Sequence, residues 1–238
     1  MPRATKIVAT LGPASSSPEV LERLIKAGVD VVRMNFSHGK AEDHIARANL
    51  VRDLAKKAHR TVGILADLQG PKIRVGKFKD NKVTLNTGDT FVLDADCALG
   101  DEKQVGIDYK ELARDVKPKD ILLLNDGLIV FEVISVRGNR IECKVQVGGV
   151  LSNNKGINRK GGGLTAPPLT SKDMEDIKTA VAIGADFLAV SFPKNGADMY
   201  MARELMRAAG GHALLIAKIE RSEAVTNEAL TDIMKACD

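Results

Sequence analysis

Two stretches of this sequence, KAGVDVVRMNFS at Lys26 to Ser37 and AIGADFLAVSFP at Ala182 to Pro193, share one layout: helix end, glycine, small residue, aspartate, apolar strand, phenylalanine. Three more apolar runs surround them, KIVATL (Lys6 to Leu11), TVGILADL (Thr61 to Leu68) and ALLIAKIE (Ala213 to Glu220), and the repeats themselves supply strands over Val29 to Phe36 and Ala185 to Phe192. Runs so continuously apolar are expected of parallel strands buried on both faces. Repeated strand–helix units with right-handed crossovers build either a β/α barrel or a doubly wound sheet, so the class is α/β.

The intervening segments carry helical spacing. Val20, Leu21, Leu24 and Ile25 mark one helix, and Ala41, Ile45, Ala48, Val51, Leu54 and Ala55 a second. Met174, Ile177, Ala180 and Val181 mark a third, and Met199, Ala202, Leu205, Met206 and Ala209 a fourth. Ser17 with Pro18 fits a helix start and Thr170 with Asp173 a capping box, while Gly28, Gly184 and Gly210 stand where helices end. Between about Val75 and Thr165 the period shortens to alternating strands joined by Asn-Thr-Gly, Asn-Asp-Gly and Arg-Gly-Asn turns. The expected organisation is therefore a first α/β part over 1–74, an inserted all-β domain over 75–165, and a continuation of the α/β part over 166–238. The exit of the insert, GINRKGGGLTAPPLTSKD, reads as a hinge, and an insertion leaving a strand–helix loop is well placed to be a lid.

Composition removes several function classes. A chain 44% hydrophobic and 28% charged, without a run of eighteen apolar residues or a charged-then-apolar leader, is expected to be neither membrane-spanning nor secreted. The net charge of +4 is dispersed and aromatic residues make up only 3%, which leaves no basic stripe or stacking platform for nucleic acid. Cys97, Cys143 and Cys237 are far apart and in no metal-ligand spacing, as expected of reduced thiols in the cytoplasm.

Reactive groups of a β/α barrel sit where strands end. Arg33, Asn35, Ser37 and His38 follow the second strand, Asp67, Lys72 and Arg74 the third, Ser191 the fourth, and Lys218 and Glu220 the fifth. Each has a plainer reading: Arg33 as partner of a structural carboxylate, Asn35 to His38 as a turn, Lys218 with Glu220 as a salt bridge on one strand face. The glycines of GGGL (Gly161 to Leu164) suit a hinge better than a phosphate cradle, because no strand leads into them. As a set, several cations with a carboxylate suited to Mg²⁺ describe metal-assisted phosphoryl transfer.

The motifs TKIVATLGPAS (Thr5 to Ser15), VVRMNFSHG (Val31 to Gly39), DLQGPKIR (Asp67 to Arg74), NNKGIN (Asn153 to Asn158), AVSFPK (Ala189 to Lys194) and AKIER (Ala217 to Arg221) together resemble the pyruvate kinase family. The resemblance implies a partial (β/α)8 TIM barrel, five of eight strands, with an inserted all-β barrel lid domain. It also implies transfer of the phosphoryl group of phosphoenolpyruvate to ADP, giving pyruvate and ATP in glycolysis, in a cytoplasmic homo-oligomer, a tetramer for full-length members. On this analogy Arg33 holds the phosphoryl group, Lys218 stabilises its charge, and Glu220 is one of two carboxylates on Mg²⁺ or Mn²⁺. Asn35, Ser37 and Asp67 match a potassium region; His38, Arg74 and Lys155 fall on the nucleotide side, with Pro13 and Thr10 near the adenine.

Two departures matter. Many members have Thr-Lys-Gly-Pro-Glu after the aspartate of strand three, whereas this chain has Leu68-Gln69-Gly70-Pro71-Lys72. Lys72 then substitutes its ammonium for potassium, as in the potassium-independent branch. The sequence also ends at DIMKACD, before the segment that brings the second metal carboxylate. The expectation is an incomplete portion of a longer enzyme, with at most trace activity alone. Another phosphoenolpyruvate-acting barrel, an aldolase or lyase, is disfavoured by the insert and GPKIR. A non-catalytic remnant that binds nucleotide or a partner is the alternative of another class.

Overall fold

The computed structural model describes residues 3–238, which form two compact units: residues 3–71 with 167–238, and residues 72–166. The first opens with β1 (Val8–Leu11), α1 (Pro18–Ala27), β2 (Val31–Asn35), α2 (Ala41–Lys57) and β3 (Gly63–Asp67). The second carries β4 (Lys82–Leu85), β5 (Thr90–Asp94), β6 (Gln104–Val105), the one-turn helix α3 (Leu112–Asp115), β7 (Ile121–Leu124), β8 (Ile129–Arg137), β9 (Arg140–Val147), β10 (Gly149–Ser152) and β11 (Ile157–Arg159). The first then resumes with α4 (Ser171–Ala182), β12 (Phe187–Ser191), α5 (Gly196–Ala208), β13 (Leu214–Lys218) and α6 (Asn227–Ala236).

In the first unit five parallel strands lie in the order β1-β2-β3-β12-β13. The expectation of strands buried on both faces holds for β12, where Leu188 to Ser191 are all buried, and needs correcting toward the edges of the sheet. Along β2, Val32 and Met34 are buried while Val31, Arg33 and Asn35 are half-buried; along β13, Leu215 is buried between exposed Leu214 and Ile216. Alternate residues point to opposite faces, so one face packs on the helices through Leu21, Ile25, Val51, Ile177, Met199 and Ile233, and five strands do not enclose the other. The helix starts follow local chemistry. Ser17 accepts from the Val20 amide ahead of Pro18, and Thr170 and Asp173 form the reciprocal capping box. Gly28, at φ +106°, takes the left-handed conformation that ends α1. The helix α6 was not foreseen in the sequence; Thr226 caps it, and Ile233 and Ala236 bury its inner face.

The repeated aspartate has a physical role. The Asp30 amide donates to the Ile7 carbonyl (3.0 Å), the Ile7 amide donates back to Asp30 Oδ2 (2.7 Å), and Arg3 pairs with that oxygen (2.8 Å). Asp186 forms the same clip on Ile64 (2.9 and 2.7 Å), with Arg52 at 2.9 Å. Asp238 forms it a third time on Leu215 (3.0 and 2.9 Å), with Arg203 at 2.9 Å. The first two clips fix the residue just ahead of β2 and β12 against the neighbouring strand, and the third ties Asp238, after α6, to β13. The backbone amides of Ile7 and Leu215, and secondarily Arg3 and Arg203, hold the Asp30 and Asp238 carboxyls below their ordinary range. The Asp30 and Asp238 clips therefore operate above the carboxylate range and are lost as pH falls through it.

The second unit has a six-stranded sheet, β11-β7-β8-β9-β5-β6, and a two-stranded one, β10-β4. Its core includes Phe91 and Phe131, whose rings lie 5.7 Å apart and tilted by 47°. The β8–β9 hairpin turns on Gly138 and Asn139, with Gly138 at φ +57° as the first position of a type II′ turn requires. The unit is not purely β, because α3 interrupts it. Its glycine-rich exit is tied down on either side. Arg159 donates to Asp120 (3.0 and 3.1 Å) and to the Gly162 carbonyl (2.8 Å), while the Thr165 amide and Tyr109 hydroxyl donate to Asp115 (2.9 and 2.7 Å).

Asp186→Ala removes the acceptor of the Ile64 amide and the partner of Arg52. It is expected to lower stability by about 1–3 kcal/mol, read as a fall in the urea midpoint. Lys26→Ala breaks an exposed pair with Glu22 at 2.7 Å and should change stability by less than about 0.5 kcal/mol.

Candidate active site

The parallel register brings the polar strand ends of the first unit together. Thr10 lies beside Arg33, Asn35 beside Asp67, Asp67 beside Ala189, and Ser191 beside Lys218. Asp67, only 2% exposed, is the centre. Arg33 donates to its Oδ2 from Nε at 2.7 Å and approaches it with Nη2 at 2.5 Å, while Lys218 Nζ donates to its Oδ1 at 3.1 Å. Arg33 Nη1 also donates to Thr10 Oγ1 (3.1 Å). Lys218 also donates to Ser191 Oγ (2.9 Å), which donates onward to the Leu68 carbonyl (2.6 Å). Glu220 lies past the end of β13 rather than on it, and its Oε1 is 3.6 Å from Lys218 Nζ. One buried carboxylate thus orients two cations whose side chains remain 30% and 32% exposed, so both stay open to an anion.

The segments flanking this centre are held tightly. Gly70, at φ +64°, passes so close to β12 that an added Cβ would lie 2.9 Å from Ser191 Cβ, and its amide donates to Asp173 Oδ1 (3.0 Å). Phe192, directly after Ser191, adopts φ +60°, a strained conformation for a bulky residue and costly by about 1–3 kcal/mol. After β2, Asn35 Oδ1 accepts from the Ser37 amide (3.0 Å) and the Asn35 carbonyl from the His38 amide (3.2 Å), while the His38 side chain is exposed. Beneath this turn His44 is buried and stacked on Phe36, with ring centroids 4.1 Å apart. Burial, opposed by its hydrogen bond to the His38 carbonyl, lowers the His44 pKa.

The remaining expected residues belong to the second unit. Lys72, Arg74 and Lys155 come together there through the pairing of residues 73–75 with 154–157. Arg74 bridges Gly156, and the Ile157 amide donates to the Ile73 carbonyl (2.9 Å). Arg74 Nη1 donates to the Asn154 carbonyl (3.0 Å), the Val75 amide to that of Lys155 (2.9 Å), and the Arg74 amide to Asp108 Oδ1 (2.7 Å). An added Cβ on Gly156 would lie 3.2 Å from the Lys72 side chain.

The family resemblance implies a potassium region for Asp67 and the adenine side for Thr10, and assigns Ser191 no defined role. The geometry makes Asp67 the holder of Arg33 and Lys218, with Thr10 and Ser191 as supports. Register was the missing information, although an aspartate closing an otherwise apolar strand was a visible signal. Pro13 lies in a one-turn 3₁₀ segment, Pro13–Ser15, after β1. Among the described residues no three His, Cys, Asp or Glu side chains are grouped to hold a metal. Glu220 offers one half-exposed carboxylate; Asp67 is committed to two cations. All three cysteines are free, and burial pushes the Cys143 thiol up to about 12.

Asp67→Asn leaves one neutral acceptor oxygen and sets an NH2 donor against one of the two cations; it is expected to cost about 1–3 kcal/mol in stability, less than for a fully buried pair because Arg33 and Lys218 are partly solvated. For His44 the unfolded imidazole takes up a proton near pH 6.5 that the folded one resists, so stability falls as pH drops through about 6.5. His44→Gln should flatten that part of the stability profile, measured by urea unfolding across pH.

Comparison with known proteins identifies the family. The family model for the pyruvate kinase barrel domain matches residues 2–238. The chain is 56% identical over 239 residues to pyruvate kinase of Haemophilus influenzae and 56% identical to pyruvate kinase II of Salmonella typhimurium, in each case covering 99% of this chain and 50% of the relative. It is 44% identical over 227 residues to pyruvate kinase of Corynebacterium glutamicum, covering 95% and 48%. The chain thus spans about half the length of the curated relatives it matches. With the buried aspartate, its two cations and the parallel sheet that aligns them, these matches show that the chain belongs to the pyruvate kinase family.

Proposed function

We propose that the chain carries the phosphoryl-handling part of a pyruvate kinase, which transfers the phosphoryl group of phosphoenolpyruvate to ADP and yields pyruvate and ATP. The observation that supports this most is the pairing of Arg33 and Lys218 with the two oxygens of buried Asp67. Phosphoryl transfer passes through a loose, metaphosphate-like state whose charge lies on the equatorial oxygens, and catalysis is mostly positioning and charge neutralisation. Arg33 binds the phosphoryl group of the substrate. Lys218 neutralises charge as the group moves to ADP, and the enolate left behind takes a proton at carbon. Asp67 keeps both cations oriented before substrate arrives, so no reorganisation is needed at the reacting moment.

Glu220 fits the way Mg²⁺ or Mn²⁺ binds beside a phosphate, through one or two protein carboxylates with phosphate and water completing the shell. The metal, when bound, supplies further neutralisation of phosphate charge. His38, Arg74 and Lys155 serve the nucleotide, Asn35 the substrate region, and Asn35, Ser37 and Asp67 the region that holds potassium in other members. Lys72 supplies a tethered positive charge there, which makes added potassium unnecessary. On the same family reading the five-stranded sheet is part of an eightfold β/α barrel and the second unit is its lid. The active species is a cytoplasmic homotetramer of full-length chains, with the boundaries of the α/β parts and the insert near 74 and 165.

A second reading is favoured by the metal-ligand inventory. Glu220 offers a single carboxylate beside Lys218, which supports a reading in which the 238 residues alone bind nucleotide or phosphate without rapid turnover.

The test is pyruvate formation from phosphoenolpyruvate and ADP with Mg²⁺, with and without potassium, for this chain and for a full-length protein that carries these residues. The longer chain should turn over without potassium, and the 238 residues alone only in trace. Lys218→Met should lower kcat by at least about 10²–10³, whereas Lys72→Glu should make activity depend on added potassium. Full activity of Lys218→Met contradicts this assignment, and rapid turnover by the 238 residues contradicts the second reading.

A further inference from the structure

The turn after β2 is fixed by two side chains from beneath. His44 of α2 reaches the His38 carbonyl with Nε2 at 3.0 Å, so Nε2 carries the proton, and the ring lies parallel to Phe36 within 10°. Its other nitrogen, Nδ1, is buried with no hydrogen-bond partner. Leaving a buried acceptor unpaired is costly, which makes this histidine an expensive way to fill the core beneath Phe36. From α4, Lys172 Nζ donates to the Phe36 carbonyl (2.6 Å) and to Asp176 Oδ2 (2.5 Å). The carbonyls of Phe36 and His38 are therefore each claimed by a side chain from a different helix. Between them stand the backbone amides of Ser37 and His38, both folded onto Asn35. The charged and titratable groups around His44 are Arg47 and Asp43 on its own helix, Lys172 and Asp176 on α4, and His38 on the turn.

We propose that His44 is a positioning residue that holds the Asn35–Gly39 turn in its working shape, so that Asn35 and His38 meet the substrates. An apolar side chain would pack on Phe36 equally well but could not hold the His38 carbonyl, and that difference separates positioning from simple core filling. The proposal rests on the pyruvate kinase reading given above for the substrates concerned; the geometry of the latch itself does not depend on it.

The test compares His44→Leu and His44→Gln in the natural protein that carries these residues. Leucine keeps the packing and removes the donor, whereas the glutamine amide reaches the position of Nε2 and keeps it. At pH 7.5 His44→Leu should raise KM for ADP about tenfold, as expected for loss of one oriented hydrogen bond, with kcat changed less than about threefold. His44→Gln should restore KM to within about threefold of the parent. Hydrogen-exchange protection of the Ser37 and His38 amides, measured beside the urea midpoint, should fall about tenfold in His44→Leu and be retained in His44→Gln while β2 amides are unaffected. Equal impairment of the two variants, an unchanged KM in His44→Leu, or loss that merely follows the folded fraction overturns the proposal. If the unaltered protein makes no ATP from phosphoenolpyruvate and ADP, the functional reading fails on its own, and amide protection alone then decides the latch: equal Ser37 and His38 protection in all three proteins refutes it.

Discussion

The candidate site depends on a carboxylate that two cations share. Asp67 closes an apolar strand and is almost wholly buried, where a bare charge would be strongly disfavoured. Arg33 on one neighbouring strand and Lys218 two strands away resolve that cost by occupying one oxygen each. The same arrangement leaves their outer surfaces in solvent, with positive charge presented at the strand ends. On the function proposed above, stability and chemistry are coupled through one residue. The ion pairs that make Asp67 tolerable in the interior are the same ones that would orient Arg33 and Lys218 for a phosphoryl group.

Such coupling demands exact strand register, since a slip of one residue would send Asp67 to the opposite face. The aspartate clips supply it. Asp30, Asp186 and Asp238 each exchange two backbone-directed hydrogen bonds with one residue, Ile7 just ahead of β1, Ile64 of β3 and Leu215 of β13, and each is backed by an arginine. They lie at the opposite end of the sheet from the reactive residues, where stability rather than chemistry is at stake. The tight packing of Gly70 on Ser191 and the strained Phe192 fix the other end, so the cations are held between two rigid margins.

Much of this was legible from residue types. Apolar runs located the strands, Ser17, Thr170 and the glycines located helix ends, and cations at strand ends suggested a phosphate chemistry. The failures share a cause, which is that one-dimensional spacing does not say which face a residue occupies. In α2 the sequence stripe included Ala41 and Ile45, yet both are exposed and His44 takes the buried position four residues before Ala48 and seven before Val51. In α4, Asp173 is buried and Met174 exposed, because Asp173 both caps the helix and receives the Gly70 amide. Hydrophobicity misassigned these positions because their polar atoms are used internally. Likewise Thr10, Ser191 and Asp67 acquire their roles only through pairing across strands distant in sequence.

The most direct measurement of the central claim is a crystal structure of the protein with phosphoenolpyruvate and Mg²⁺. The account predicts the phosphoryl oxygens within hydrogen-bond reach of both Arg33 and Lys218, with those side chains still paired to Asp67. A phosphoryl group bound elsewhere, with Arg33 and Lys218 closed on Asp67 and away from the ligand, would contradict it and reduce the trio to a structural ion pair.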